Sequence, residues 1–356
     1  MIAAGKSTPP ARGWLGAMSF AQLSSLRERE ADMRKLFPAI IGLVTALGIA
    51  SAGAQSYPSR PITLIVPFAA GGPADALARA LGERMRASLG QTVIIENATG
   101  ASGTIGVGRV VRAAPDGYTL GIGHVGTHVV NGAIFALPFD LLKDLEPIAL
   151  LPSNSLLIIA KKAFPANDLK ELIGWLKANP DKASAGTSGA GGGSHVNGVY
   201  FQNLTGTRFQ FVPYRGTGPA LTDLIAGQID LMFDQASNSL GQVRAGTIKA
   251  YAVTAKTRLP SAPDIPTVDE AGLPGFYTST WYGMWAPKGT PKPVIAKLSA
   301  AVMEALADPV VQKRLSDQGL EFPPPEQQTP EALAAHHKAE IEKWWPIVKA
   351  ANIKPE

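Results

Sequence analysis

"ITLIVPFAAGGPADALARALGERM", residues 62–85, decides the fold. A short apolar run enters two adjacent glycines, Gly71 and Gly72, and a proline follows. Leu77, Leu81, Met85 and Leu89 then recur four apart, with Ala74 and Ala78 beside them. "PITLIVPF" reads as a buried strand, and the four-residue recurrence as the apolar stripe of one helix. Pro73 suits the first turn of that helix, where its missing N–H would have no partner anyway. Glycine at such a turn has two readings. Either the turn is sterically tight, or a ligand must approach unpaired helix amides without meeting a Cβ.

The plan repeats along the chain. "TVIIEN" reads as a strand, "ATGASGT" as a glycine-rich turn, "IGVGRVVRAAPDG" as a helix and "YTLGIG" as a third strand. Such alternation predicts a parallel sheet. The pattern then restarts with the strand "SLLIIAKK" and the helix "DLKELIGWLKANP", capped at Asp168. "KASAGTS", "FQFVPY", "IDLMFDQ" and "IKAYAVT" read as further strands. "GAGGGS" and "RGTG" are glycine turns, each leading into a helix. The last helix, "TPEALAAHHKAEIEKWWPIV", opens with Thr329 as N-cap and Pro330 at its first position. What repeats is architecture: two α/β halves.

The chain has 356 residues, 46% of them apolar and 17% charged, enough for two domains. "MRKLFPAIIGLVTALGIASAGAQ" begins at Met33 with a positive pair, Arg34 and Lys35. An apolar stretch from Leu36 to Ala50 follows, ending at the small residues Ala52-Gly53-Ala54. This is the pattern of a signal peptide over residues 33–54, with residues 1–32 as an upstream extension. Removing both leaves 27 basic and 25 acidic residues, a net charge of +2. Nucleic acid is therefore not an expected partner. The absence of cysteine excludes disulfides, thiol catalysis and thiolate metal sites. An exported, cysteine-free chain fits a bacterial periplasm.

Catalytic motifs are poorly matched. Ser188 follows Gly186 at nucleophile-elbow spacing, but Ala190 stands where the last glycine belongs, and Thr104 does the same after Ser102. His124 and His128 stand four apart, but in strand and turn rather than on a helix face. His337 shares a helical stripe with Leu333, Ile341, Trp344 and Val348 and reads as packing. "GIGHVG", residues 121–126, matches G-x-G-x-x-G after a strand, and Asp140 lies near where a ribose-binding acid would sit. The strand runs through its first two glycines, so a dinucleotide-dependent exported oxidoreductase is the alternative reading. In "WYGMWAP", Trp281 and Trp285 either stack an aromatic ligand or pack the strand, and the alternation favours packing.

The glycine turns remain. Helix N-termini carry unpaired N–H groups and partial positive charge. "AAGGPAD" and "TGASGT", from adjacent parallel strands, would aim two sets of amides at one spot at the strands' carboxyl ends. That arrangement suits a carboxylate. Asp75 sets a negative charge in the first turn. It either caps nearby amides and orders the loop, the preferred reading, or reads a ligand amine or hydroxyl.

Seven blocks in order carry a wider resemblance: "YPSRPITLIVPFAAGGPADALAR", "VIIENATGASGTIG", "APDGYTLGIGHVGTHVVN", "GTSGAGGGSH", "VPYRGTGPALTDLIAGQIDLMFD", "IPTVDEAGLPGF" and "WAPKGTPKPV". From about Tyr57 to the end, the chain resembles the Bug family, the extracytoplasmic solute receptors of tripartite tricarboxylate transporters.

The resemblance implies a type II periplasmic-binding fold, two α/β domains joined by two crossing strands around a ligand cleft. The domains would be residues 55–157 with 280–356, and residues 158–279. It implies that loops of the first domain grip a carboxylate with backbone amides, nominating Phe68, Ala69, Gly71, Gly72, Ala74 and Asp75, and Gly100, Ser102, Gly103 and Thr104. It also nominates Thr127 and His128 near the hinge, and Thr187, Ser188, His195, Arg215, Gly216 and Asp234 in the second domain. Members often carry Lys where this chain has Arg215, and Gly where it has Ser102. Arg215 either reads the ligand or holds a loop.

The expected activity is capture of a small carboxylate, a di- or tricarboxylate, aromatic acid or amino acid, for delivery to membrane permease subunits. No cofactor, no metal and no catalysis are expected, and the protein is expected to be a monomer. A carboxylate sensor serving a signalling partner is the remaining alternative.

Overall fold

The glycine turn at 71–72 joins the elements the sequence predicts. The computed structural model describes residues 57–189 and 191–350. The expected signal peptide and upstream extension lie outside them. Strand β1 (Ile62–Val66) is buried along nearly its whole length. Helix α1 (Pro73–Leu89) buries Ala74, Leu77, Ala78, Leu81, Met85 and Leu89, the stripe read from the sequence. It stops where Gly90 turns left-handed at φ 68° and returns its N–H to the carbonyl of Arg86.

Strand β2 (Val93–Asn97), a 3₁₀ turn at Ala101–Gly103, helix α2 (Thr104–Val111) and strand β3 (Thr119–His124) complete the first motif. β1 lies between β2 and β3, parallel to both, with Leu64 opposite Ile95 on one side and Leu120 on the other. A π-helical turn, Gly126–Val130, follows β3 and runs into the short helix α3 (Asn131–Ile134).

Strand β4 (Leu145–Lys161) is 17 residues long and begins ten residues before "SLLIIAKK". Two register shifts against its neighbour β9 (Ser279–Pro287), at Pro147/Ala149 and Leu151/Asn154, carry it past Pro147 and Pro152. Proline offers no N–H to a ladder, so bulges fall there and hide the strand from a periodicity reading.

The second half holds α4 (Leu169–Ala178), β5 (Ser184–Thr187), α5 (Gly193–Thr205), β6 (Gln210–Pro213) and α6 (Thr217–Ile225). β7 (Leu231–Gln235), α7 (Ala236–Arg244) and β8 (Ile248–Val253) follow. Asp168 caps α4 by accepting from the N–H of Glu171 at 2.8 Å. The chain returns through β9 to α8 (Lys292–Ala307), α9 (Pro309–Asp317), β10 (Leu320–Glu321) and α10 (Pro330–Ala350).

The strand order is β2-β1-β3-β9-β4-β7-β5-β6, with β8 and β10 also pairing with β4. β4 pairs with β9 up to Ser155 and with β7 from Leu156, so it crosses from one half to the other. Each half is covered on both faces. In the first, α1 and α8 bury Leu77, Leu81, Leu298 and Val302 on one side, and α2 and α10 bury Val107, Val110, Leu333 and Ile341 on the other. In the second, α4 and α5 bury Leu172, Leu176 and Phe201, opposite Leu221, Leu224 and Leu240 of α6 and α7. Two-sided burial explains why the strands read as continuous apolar runs. Trp281 and Trp285 are part of that packing and are buried.

Candidate ligand-binding cleft

The carboxyl ends of β1, β3, β5, β6 and β7 face one cleft, and the helices that follow start there. Its inner chamber is lined by Gly72, Pro73 and Ala74 at the start of α1, Gly193 and Ser194 at the start of α5, Gly216 and Thr217 at the start of α6, and Gln235, the residue before α7. Phe68, Ala69, His124, Leu156, Ser188, Phe233, Thr280 and Tyr282 complete its wall. Four helix N-termini thus converge on a space whose described lining carries no Asp, Glu, Lys or Arg. Each contributes partial positive charge, favouring a nearby anion by about 0.3–1 kcal/mol. The free volume is about 30 Å³, enough for a few waters or a carboxylate head.

The first loop is held by Asp75. Its Oδ2 accepts from the Gly71 N–H at 3.0 Å and from Arg79 Nε at 2.8 Å, and its Oδ1 accepts from the Asn97 amide at 3.0 Å. Burial alone would raise the Asp75 pKa, but bonds from Arg79, Gly71 and Asn97 outweigh it and hold the carboxyl below the usual range. Both oxygens are engaged, so Asp75 orders the loop and does not line the chamber. Gly71 is bound in the same way and adopts φ 83°. Gly72 and Ala74 belong to the first turn of α1, whose N–H groups have no helical partner.

The second loop borders an outer chamber of about 260 Å³, lined by Gly100, Ser102, Gly103, Gly189, Tyr214 and Arg215 among others. Phe68 and Ser188 stand on the wall of both chambers. Gly100, Ala101, Ser102 and Gly103 all have positive φ, 123°, 44°, 50° and 91°. This tight course tucks Gly103 against Thr127 and Pro67. The Asn131 amide fixes the loop by donating to the Ser102 carbonyl at 2.9 Å. Thr104 donates its hydroxyl to the Ala101 carbonyl at 2.9 Å and lines neither chamber. Among the described residues, Arg215 is the one charged side chain on the outer wall.

The cleft is shut. Ala69 donates its N–H to the Arg215 carbonyl at 3.0 Å. A Cβ on Gly218 would lie 3.3 Å from the Gly72 nitrogen, and one on Gly189 would lie 2.9 Å from the Ser102 hydroxyl. Tyr282 of β9 donates its hydroxyl to the Gln235 side-chain carbonyl. Each contact joins an element of the first half to one of the second.

His124, at the end of β3, lines the chamber, although the sequence showed it only as one of two histidines four apart in strand and turn. The Gly126 N–H donates to its Nδ1 at 2.9 Å, which places the proton of the neutral ring on Nε2. Phe68 stacks on its face at 4.8 Å and Tyr282 meets its edge at 5.6 Å. Burial pushes its pKa down to about 4. Thr217, Gln235, Thr280 and Tyr282 also escaped the sequence reading. The last two lie on the crossing strand β9, and only the β3–β9 and β4–β9 pairings bring them to the cleft.

Other nominated residues stand behind the wall. His128 stacks on Trp285 at 3.8 Å and bonds Thr127 through Nδ1 at 2.9 Å. His337 bonds the His128 carbonyl through Nε2 at 2.6 Å. Thr127 also bonds the His124 carbonyl at 3.1 Å, so it braces the turn. Thr187 accepts from Tyr214 N–H through its carbonyl at 3.0 Å. His195 accepts from the Gly191 N–H at 2.8 Å and meets the edge of Phe211 at 4.4 Å. Ser188 and Ser194, by contrast, are on the chamber wall and are joined, Ser188 N–H donating to the Ser194 hydroxyl at 2.7 Å. Asp234 is fully buried beneath α7 and accepts from Asn238 at 2.8 Å. Burial, the largest influence, pushes its pKa up to about 7 despite that bond.

"GIGHVG" does not form a phosphate loop. Gly121 and Gly123 lie inside β3, where a Cβ would meet Val110 at 2.7 Å and the His128 ring at 2.0 Å. Asp140 instead accepts from the N–H groups of Leu142 and Lys143 in a local turn. The glycines make room for side chains of this protein, which removes the support for a dinucleotide there.

A family model described as "Tripartite tricarboxylate transporter family receptor" matches residues 77–353. A protein from the TAR-I ttuE-ttuC' intergenic region of Agrobacterium vitis is 39% identical over 322 residues, 90% of this chain and 93% of its own. The structure of the periplasmic binding protein BugD superposes with a TM-score of 0.81 at 44% identity, covering 84% of this chain and all of that one. MatC from Rhodopseudomonas palustris, with bound malate, gives a TM-score of 0.79 at 43% identity, covering 82% of this chain and all of that one. The chain belongs to the tripartite tricarboxylate transporter receptor family, with the Bug-type fold the sequence resembles, and is a solute receptor. Among the described residues, no helix is long and apolar enough to cross a membrane.

Proposed function

We propose that this member of the tripartite tricarboxylate transporter receptors works in the periplasm, captures a small organic acid and delivers it to the membrane subunits of such a transporter. The convergence of four helix N-termini on a chamber without charged side chains carries this reading. Such a chamber answers a carboxylate with fixed dipoles and neutral donors. A bound cation would find no carboxylate on its wall. Each charge-assisted bond from a preorganised amide contributes about 1.5–3 kcal/mol. The proposed ligand class is a small dicarboxylate, with one end in the inner chamber and the other towards Arg215 in the outer one. The malate carried by the similar R. palustris protein belongs to that class.

The protein acts by binding alone. The lobes are residues 55–157 with 280–356, and residues 158–279, and they part and close about β4 and β9. Gly72, Ala74, Ser188, Gly216 and Thr217 bear on the inner carboxylate. Gly100, Ser102, Gly103 and Arg215 bear on the remainder. A thermal-shift screen of organic acids against the purified chain tests the reading. Stabilisation by at least one dicarboxylate is expected. Stabilisation by none of the acids contradicts it.

A further inference from the structure

We propose that His124 is the specificity-determining side chain of the inner chamber and donates its Nε2–H to a carboxylate oxygen of the bound acid. The inference rests on the carboxylate reading above and adds a residue which that reading leaves without a role.

Three observations support it. An amide N–H can only donate, so the 2.9 Å contact from Gly126 makes Nδ1 the lone-pair nitrogen and Nε2 the protonated one. The ring cannot easily turn away, because Phe68 lies parallel to it at 8° and Tyr282 meets its edge at 83°. Among the described residues, no protein group bonds Nε2, although His124 lines the chamber and is 5% exposed. A ring N–H that borders the chamber and has no protein acceptor is satisfied there by water or by a ligand oxygen. Neighbouring donors are already oriented. Tyr282 gives its hydroxyl to the Gln235 side-chain carbonyl, and Ser194 gives its hydroxyl to Ser188 at 3.1 Å.

The neutral ring suits a chamber that opens and closes. The attraction of a cation acts over several ångströms, whereas a neutral donor contributes only when the acid is seated within hydrogen-bonding distance. A ligand atom that is itself a donor, such as an ammonium, would meet Nε2–H without an acceptor.

Two substitutions separate ligand reading from a merely structural role. His124→Asn keeps an oxygen within reach of the Gly126 N–H but places nothing at Nε2. His124→Gln reaches the Nε2 position with an amide N–H but leaves Gly126 unpaired. With L-malate, or the acid giving the largest thermal shift, H124N is expected to lose roughly tenfold or more in affinity and H124Q to lose much less. Thermal stability without ligand should rank them the other way. A second measurement uses the unaltered protein. The ¹⁵N spectrum of the imidazoles should show a protonated Nε2 whose proton moves downfield when the acid is added. Wild-type affinity in H124N, or an Nε2 proton that does not respond while the acid binds, overturns the proposal. Failure of the unaltered protein to bind any acid overturns the carboxylate reading itself.

Discussion

Ala69 donates its backbone N–H to the carbonyl oxygen of Arg215 at 3.0 Å, joining the loop after β1 to the loop after β6. An amide nominated from the sequence for gripping a ligand therefore fastens the two halves together. Closure becomes part of recognition, because the loops that face the acid also face each other.

Gly218 lies at this seam, and its missing Cβ leaves Gly72 N and the Gly71 carbonyl carbon 3.3 and 3.4 Å from where one would stand. Gly218→Val should wedge the seam. Affinity for the acid, measured by calorimetry, should fall roughly tenfold or more, since contacts made only on closure are lost. The melting temperature of the free protein should barely change. Unchanged affinity would show that closure contributes nothing.

Asp75 is the acceptor for three donors in the first loop. Asp75→Ala should lower the unfolding free energy by about 1–3 kcal/mol, chiefly through the stranded Gly71 and Asn97 donors. Arg79 is half exposed and can turn to water. Urea unfolding of the ligand-free protein measures the loss, and no loss would mean that Asp75 does not order the loop.

Asp234 holds its proton up to about pH 7 in the folded protein, against 3.8 for an ordinary aspartate. Its contribution to stability is present below about pH 4 and disappears as pH rises towards 7. Asp234→Asn should therefore gain on the unaltered protein steadily between pH 4 and 7, followed by denaturant unfolding at each pH. His124, held neutral with its pKa near 4, acts with the opposite sign: its contribution is present above about 6.5 and is lost as pH falls to 4. A constant difference between D234N and the unaltered protein would contradict the assignment.

Gly106 and Gly174 give opposite expectations for the same change. A Cβ on Gly106 would stand 2.8 Å from the Ala98 carbonyl and 2.9 Å from Pro67 Cα, both backbone atoms at the base of the site loops. Gly106→Ala should cost about 1–3 kcal/mol. Gly174, on the exposed side of α4, has nothing within 4 Å, and Gly174→Ala should add about 0.5–1 kcal/mol. Thermal unfolding of the two variants tests both.

The βα units were legible because the central strands, such as β1 and β7, are buried on both faces and each helix carries one apolar stripe, as Leu77, Leu81 and Met85 do. The helix starts at Gly72 and Gly216 were legible from the glycine turns. The crossing strand β4 was only half legible, since Pro147 and Pro152 interrupt its ladder. His124, Gln235, Thr280 and Tyr282 were illegible as site residues. They come from strands far apart in the chain, and the antiparallel pairings of β9 with β3 and β4, and of β7 with β4, bring them together. His128 and Asp234 were nominated by position, but a one-residue change along strand or turn sends a side chain behind the wall instead of into the cleft.

Carboxylate binding by the convergent helix N-termini is tested most directly by a crystal structure of the purified protein grown with the acid that stabilises it most. One carboxylate is expected in the inner chamber, within hydrogen-bonding distance of the Gly72 or Ala74 amide and of Ser188 or Thr217, with the lobes closed over it. An acid seated outside that chamber, or carboxylate oxygens resting on side-chain cations alone, would contradict it.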